Sequence, residues 1–229
     1  MLSKLKSACC AAVLSFGLGV VAQDAQAFDD AQSWNAALVT AKVANNVTVT
    51  AETHFRFFDD VSMLGQFLFR PSVNFIASKY HSYALGYAYA ITRPITGGIS
   101  HEHRLWQQVA YNGLKIGKAR LQGRTRLEQR FVEGRADTGW RLRQLVRGML
   151  PINASGSVQA LLWNETFVGL NKTVWGQRAN LDQTRTLLGV AWKMSDHISL
   201  EPGVMHQHIF RNGPGADNIV LSVNLVANF

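Results

Sequence analysis

Apolar and polar residues alternate one for one along most of this chain, which is the period of a half-buried strand. Val47, Val49, Ala51, Thr53, Phe55 and Phe57 share one face, and Thr48, Thr50, Glu52, His54 and Arg56 the other. Gly65, Phe67, Phe69, Pro71, Val73 and Phe75 likewise oppose Gln66, Leu68, Arg70, Ser72 and Asn74. Tyr83, Leu85, Tyr87, Tyr89 and Ile91 oppose a face of small residues, Ala84, Gly86, Ala88 and Ala90. In "HEHRLWQQVAY" the pleat separates Glu102, Arg104, Trp106 and Gln108 from His101, His103, Leu105, Val109 and Tyr111.

The middle of the chain concentrates charge on one face. Arg120, Gln122, Arg124, Arg126, Glu128 and Arg130 oppose Leu121, Thr125, Leu127 and Phe131, and Arg141, Arg143 and Arg147 oppose Trp140, Leu142, Val146 and Leu150. Further strands are expected at Trp34 to Val43, Val158 to Phe167, Leu181 to Met194, Ile198 to Ile209 and Ile219 to Phe229. Turn signals at Asn45-Asn46, Asp59-Asp60, Asn112-Gly113, Asn153 to Gly156, Ser195-Asp196 and Asn212 to Gly215 separate the segments. These features predict one all-β domain.

Residues 1–27 read as a signal peptide: Lys4 and Lys6, an apolar run from Ala8 to Ala22, and a small-x-small site at Ala25-Gln26-Ala27. The remaining chain, 28–229, is the predicted barrel domain. Both cysteines, Cys9 and Cys10, fall in the leader, so neither a disulfide framework nor a thiolate metal site is expected. The formal charge of +8 becomes +7 once two lysines and Asp24 are removed, yet export argues against nucleic acid as the partner.

Alternation alone does not say which face points inward. Three features favour an apolar face toward lipid and a polar lumen. The segments run about 10 to 14 residues, suiting a tilted bilayer crossing. Aromatic residues gather near strand ends, at Phe57, Phe75, Tyr83, Tyr111, Phe131, Trp140, Trp192 and Phe229, as interfacial girdles do. The chain ends on Phe229, two turns of the pleat after Leu225, in the manner of an outer-membrane assembly signal.

The segments "HEHRLWQQ", "RTRLEQRF", "WRLRQLVR", "LLWNETFV" and "NLVANF" resemble successive strands of a bacterial outer-membrane family, domain of unknown function 2490. The resemblance runs over nearly the whole chain after the leader. It implies a barrel in the outer membrane and supplies no activity. The expectation is therefore a transmembrane antiparallel up-and-down β-barrel with an Arg-rich lumen. Eleven segments can be counted, but barrels of this kind normally have an even number with both termini on one side, so ten or twelve strands are expected.

The predicted lumen holds Arg56, Arg70, Arg104, Arg120, Arg124, Arg126, Arg130, Arg141, Arg143, Arg147 and Arg185 against Glu52, Glu102, Glu128, Glu165 and Glu201. Guanidinium and carboxylate pair in bidentate fashion, so a structural ion-pair network is the leading expectation. Six arginines exceed the acids; they must be hydrated, lie near a mouth or meet an anion. A narrow anion-favouring pore is the first alternative and a lipid-modifying enzyme the second. His101 with His103 and His206 with His208 have chelating spacing but no third ligand, so no metal or other cofactor is expected. Ser82 and Ser100 each neighbour a histidine, but adjacent strand residues face opposite ways, and no catalytic residue is assigned. The expected partners are outer-membrane lipids, lipopolysaccharide and the barrel-assembly machinery, with the barrel a monomer.

Overall fold

In the computed structural model, which describes residues 29–229, eleven strands close into a barrel. They are β1 (Asp30–Ala44), β2 (Val47–Phe58), β3 (Met63–Ile76), β4 (His81–Thr92), β5 (Ser100–Ile116), β6 (Ala119–Val132), β7 (Thr138–Pro151), β8 (Val158–Gly169), β9 (Asn180–Lys193), β10 (Ile198–Arg211) and β11 (Gly213–Asn228). The leader read at 1–27 lies outside the described residues. No described helix is long and apolar enough to cross a membrane, which says nothing of a crossing by strands.

Ten neighbouring pairs are antiparallel, and the ring closes by a parallel pairing of β1 with β11 that runs from Asp30 opposite Asn218 to Thr40 opposite Asn228. The expected ten or twelve strands are thus corrected to eleven. An odd ring of consecutive hairpins must bring its first and last strands together in the same direction, and the parallel seam satisfies their backbone groups without leaving an edge. The first segment belongs to the wall, and residues 170–179 hold no further strand. Asp30 and Phe229 consequently lie at opposite ends. We call the Asp30 end the rim; it carries the connections 59–62, 93–99, 133–137 and 170–179. The other end, the base, carries the turns 45–46, 77–80, 117–118, 152–157 and 194–197.

Two turn signals resolve differently from expectation. Asn112-Gly113 lies inside β5, where the register slips between Tyr111 and Leu114 and Gly113 adopts φ +94°. Glycine tolerates that conformation, so the chain bulges and continues to a turn at Gly117, φ +59°. The last strand begins at Gly213, six residues before its expected start, after a slip between Ile209 and Arg211.

The wall is inverted relative to a soluble barrel. Val146, Leu162, Leu188 and Leu221 on the outside are each more than half exposed, whereas Glu128 and Arg126 inside are 1% exposed. The aromatic residues expected in girdles fall into two outer rows. Phe57, Phe131 and Trp140 lie toward the rim; Phe75, Tyr83, Tyr111, Trp192 and Phe229 lie toward the base. The small inner face of β4 has a packing reason. Trp106 of β5 leans across it, 2% exposed, with its indole N–H donating to the Tyr87 carbonyl at 3.3 Å, and a Cβ on Gly86 would collide with that ring.

Candidate functional site: the charged lumen

Because side chains on a strand alternate, each charged row of the sequence becomes an axial column inside the barrel, and the register between strands decides which charges meet. Three zones result: a floor across the middle, an apolar side wall, and a vestibule open at the rim.

Glu128 and Glu165 organise the floor. Glu128 accepts from Arg141 at 2.6 and 3.0 Å and from Arg143 at 2.6 Å, with an Arg126 nitrogen 4.0 Å away. Arg143 also donates to Glu165 at 2.8 and 3.1 Å, and Arg124 reaches the same Glu165 oxygen at 2.6 Å. Arg143 therefore bridges two buried carboxylates, and its β7 position opposite β6 and β8 makes that possible. Arg126 is held differently: both of its donating nitrogens reach Gln108 Oε1, at 2.8 and 3.0 Å, and its guanidinium carbon stands 3.9 Å over the Trp106 ring. Toward the base, Arg70 pairs with Glu52 at 2.6 Å and Arg147 with Glu201 at 2.5 Å. Opposite the charges, Met149, Leu161, Leu187, Met205 and Val220 cluster on β7 to β11, with Trp34 and Trp163 packed against them.

The vestibule is a cavity of about 790 Å³ walled by both charged and apolar side chains. On one side Glu102 receives Arg104 at two 2.8 Å bonds and Arg130 at 2.5 and 3.1 Å. The 170–179 connection folds over this side: Gln177, 5% exposed, donates to the Trp140 and Asn171 carbonyls, and Arg130 lies 4.9 Å over Trp175. On the other side Arg56 and Arg185 make no salt bridge among the described residues. Arg56 donates to Gln66 at 2.8 Å and Arg185 to Gln183 at 3.1 Å. Their guanidinium carbons sit 3.8 and 4.6 Å from the centre of the same ring, Trp34, and Arg185 also lies 4.5 Å from Phe167.

Of the residues expected to form the lumen network, Glu52, Arg70, Glu102, Arg104, Gln108, Arg124, Arg126, Glu128, Arg130, Arg141, Arg143, Arg147, Glu165 and Glu201 join its ion pairs and hydrogen bonds. Arg120 does not: it is exposed at the base end of β6 and makes no salt bridge among the described residues. It shares the inward parity of its row but lies beyond the last acid. Arg56 and Arg185 are inside but unpaired with acids. The excess of cations meets aromatic faces as well as anions. A desolvated cation over a ring gains about 2 kcal/mol or more, so Trp34, Trp106, Phe167 and Trp175 supply much of the missing compensation. Phe167 and Trp163 share parity with Glu165, so their inward direction could have been read from the sequence; the convergence of Trp34 and Phe167 on Arg185 could not.

The histidine pairs stay outside. His101 and His103 meet the Tyr89 and Tyr87 hydroxyls at 2.7 and 2.5 Å, and His103 also lies 3.0 Å from Glu133. His206 and His208 converge on Asp217 Oδ1, at 2.7 and 2.8 Å. Among the described residues no group of three metal-ligating side chains is arranged to hold an ion. His81 is approached by Ser78 at 3.5 Å rather than by its neighbour Ser82. Phe229 lies at the base on the outer surface, its ring stacked on His197 with centroids 5.6 Å apart, and Leu225 faces outward.

The model of the family described as "Protein of unknown function (DUF2490)" matches residues 31–218, from β1 into β11. The chain belongs to that family. The DUF2490 chain is also 29% identical over 207 residues to an uncharacterized protein of Methylorubrum extorquens, with 90% of each chain covered. Among solved structures it is similar to LpxR from Salmonella typhimurium, with a TM-score of 0.47, 8% identity, and 78% of this chain and 83% of that one covered. It is similar as well to the outer-membrane expressed OmpT of Vibrio cholerae, with a TM-score of 0.43, 14% identity, and 80% of this chain and 58% of that one covered.

Proposed function

We propose that this protein is an outer-membrane barrel whose lumen is a sealed, charge-paired core, serving the envelope structurally rather than conducting solutes. The carrying observation is the filled middle of the lumen. Arg126 and Glu128 are 1% exposed on one side, and Leu187 and Val220 are fully buried on the other. A wet passage would leave these groups hydrated.

The membrane setting rests on the inverted wall. At roughly 3.3 Å per residue, strands of this length tilted by about 40° cross the ~25 Å apolar band of such a membrane. An apolar outer surface on this scale would drive association of a protein in water. The longest connections, 93–99 and 170–179, gather at the rim, and short turns at the base. Outer-membrane barrels have this asymmetry, with long loops outside and short turns in the periplasm. The rim therefore faces outward and the base lies toward the periplasm. The closed ring has no free edge to pair with a second copy, in keeping with a monomer surrounded by lipid and lipopolysaccharide.

Planar-bilayer recording of the refolded full chain is the test. Membranes that stay silent are the expected result, and stepwise conductance in the wild type would overturn the sealed-lumen reading. The reading assigns no catalysis, and release of acyl chains from lipopolysaccharide by the purified protein would overturn that part of it.

A further inference from the structure

We propose that the vestibule is a binding site for a phosphate-bearing organic molecule, with Arg56 and Arg185 as the groups that hold its phosphate. Both residues line the cavity, and both are cations that the protein leaves without an acid. The carboxylates around the cavity are engaged elsewhere: Glu102 pairs with Arg104 and Arg130, and Asp29 accepts from the Asp217 N–H. Glu165 is held by Arg124 and Arg143, Asp182 lies 3.5 Å from Arg141, and Asp30 accepts from Gln32 and from the Asp60 N–H. Arg185 is only 8% exposed and its Nε has no partner, as is true of the Arg56 Nε. A desolvated cation that ring faces compensate only in part and no acid pairs is costly to keep, so two of them beside an open cavity are a built feature that an arriving anion would complete.

The chemical class follows from charge and shape. A phosphomonoester carries about −1.5 to −2 near neutral pH, which matches two unpaired guanidiniums, and arginine is the side chain best suited to phosphate oxygens. Both guanidinium carbons stand against Trp34, at 3.8 and 4.6 Å from its centre, and both arginines line the same cavity, so one phosphate-bearing molecule seated there lies within reach of both. A cavity of about 790 Å³ is far larger than a phosphate ion and lies within the ~300 to 1,000 Å³ of small-molecule sites. Phe58, Ile95, Trp175 and Ile209 on its walls offer apolar contact to the rest of the ligand. The phosphate could belong to a free solute or to a lipid head group entering from the rim, and the experiment separates the two.

Titration calorimetry of the full chain in neutral detergent would use two probes, phenyl phosphate and phosphatidic acid carried in the micelle. Saturable binding of phenyl phosphate supports a soluble ligand; binding of phosphatidic acid alone supports a lipid head group. In either case Arg56→Gln and Arg185→Gln should each weaken binding at least about tenfold, and Arg120→Gln at the base should bind as the wild type does. The ligand-free melting point tells a ligand-holding arginine from a structural one. Each Gln variant gives up a ring contact but also removes a buried charge that no acid pairs, so the two effects offset and its melting point should stay close to that of the wild type. Failure of both probes, unchanged affinity in both variants, or weak binding accompanied by a clearly lowered melting point in both would overturn the proposal. The sealed floor lies beneath this site, so the recording of bilayer conductance stands or falls independently of the titration.

Discussion

Arg143 and Arg185 occupy the same lumen and rest on the same ring, Phe167, at 4.6 and 4.5 Å, yet their surroundings differ completely. Arg143 stands in the floor between Glu128 and Glu165 and its charge is consumed. Arg185 stands at the vestibule wall with an amide oxygen and two aromatic faces. The floor shows what a barrel does with charge it must seal away: each acid serves two or three guanidiniums, and those bonds lock neighbouring strands. The vestibule shows charge kept in place by groups that do not neutralise it. Sealing and recognition are thus separated along one axis, within one row-like pattern of arginines.

The contrast can be tested from its strong end. Glu128→Gln removes the shared anion of Arg141 and Arg143 and leaves both buried without it. Breaking a buried pair from one side costs about 3 to 5 kcal/mol, so thermal unfolding in detergent should show a large loss, and an unchanged melting point would mean the floor is hydrated. Next comes Trp106→Leu, which removes the face under Arg126 but leaves the Gln108 bonds. A loss of about 2 kcal/mol is expected from the cation–ring contact, with some further loss from the space vacated beside β4. A loss as great as that of Glu128→Gln would show that aromatic faces, and not acids, dominate the floor as well.

The smallest effect lies outside the lumen. Asp196, in the 194–197 turn, accepts a 2.7 Å hydrogen bond from Lys193, and that bond followed by the lysine's charge holds its carboxyl below the ordinary aspartate range. A carboxyl depressed in the folded state contributes stability above its unfolded pKa and loses it as pH falls through the folded value. Lys193→Ala should move the Asp196 titration upward, followed by NMR. The melting point should not change measurably, because the pair lies at the surface in contact with solvent.

Period-two alternation was enough to place Glu52, Glu102, Glu128, Glu165 and Glu201 on the charged face of their strands, and to divide His101 and His103 from Glu102; strand length and the aromatic rows were needed to turn that face inward. It also marked ten of the eleven strand starts to within a few residues. The count failed because an evenness rule learned from other barrels was set above eleven visible segments. Asn112-Gly113 was read as a turn because a bulge and a hairpin use the same glycine chemistry; only the partner strand tells them apart.

Alternation is a property of the backbone itself, so the all-β character, the opposite polarity of the two faces of each strand and the rows of arginine on one of them were decided locally, residue by residue. Pairing was not. Arg124 meets Glu165 across 41 residues and Arg147 meets Glu201 across 54, and each distance depends on the register of every strand between them and on closure of the ring. The same holds for the placing of Arg56 and Arg185 against Trp34, from three separate strands. Which arginines are neutralised and which remain open to an anion is therefore a consequence of how the barrel closes, because Coulomb and ring contacts act over a few ångströms and the chain brings those partners together only in three dimensions.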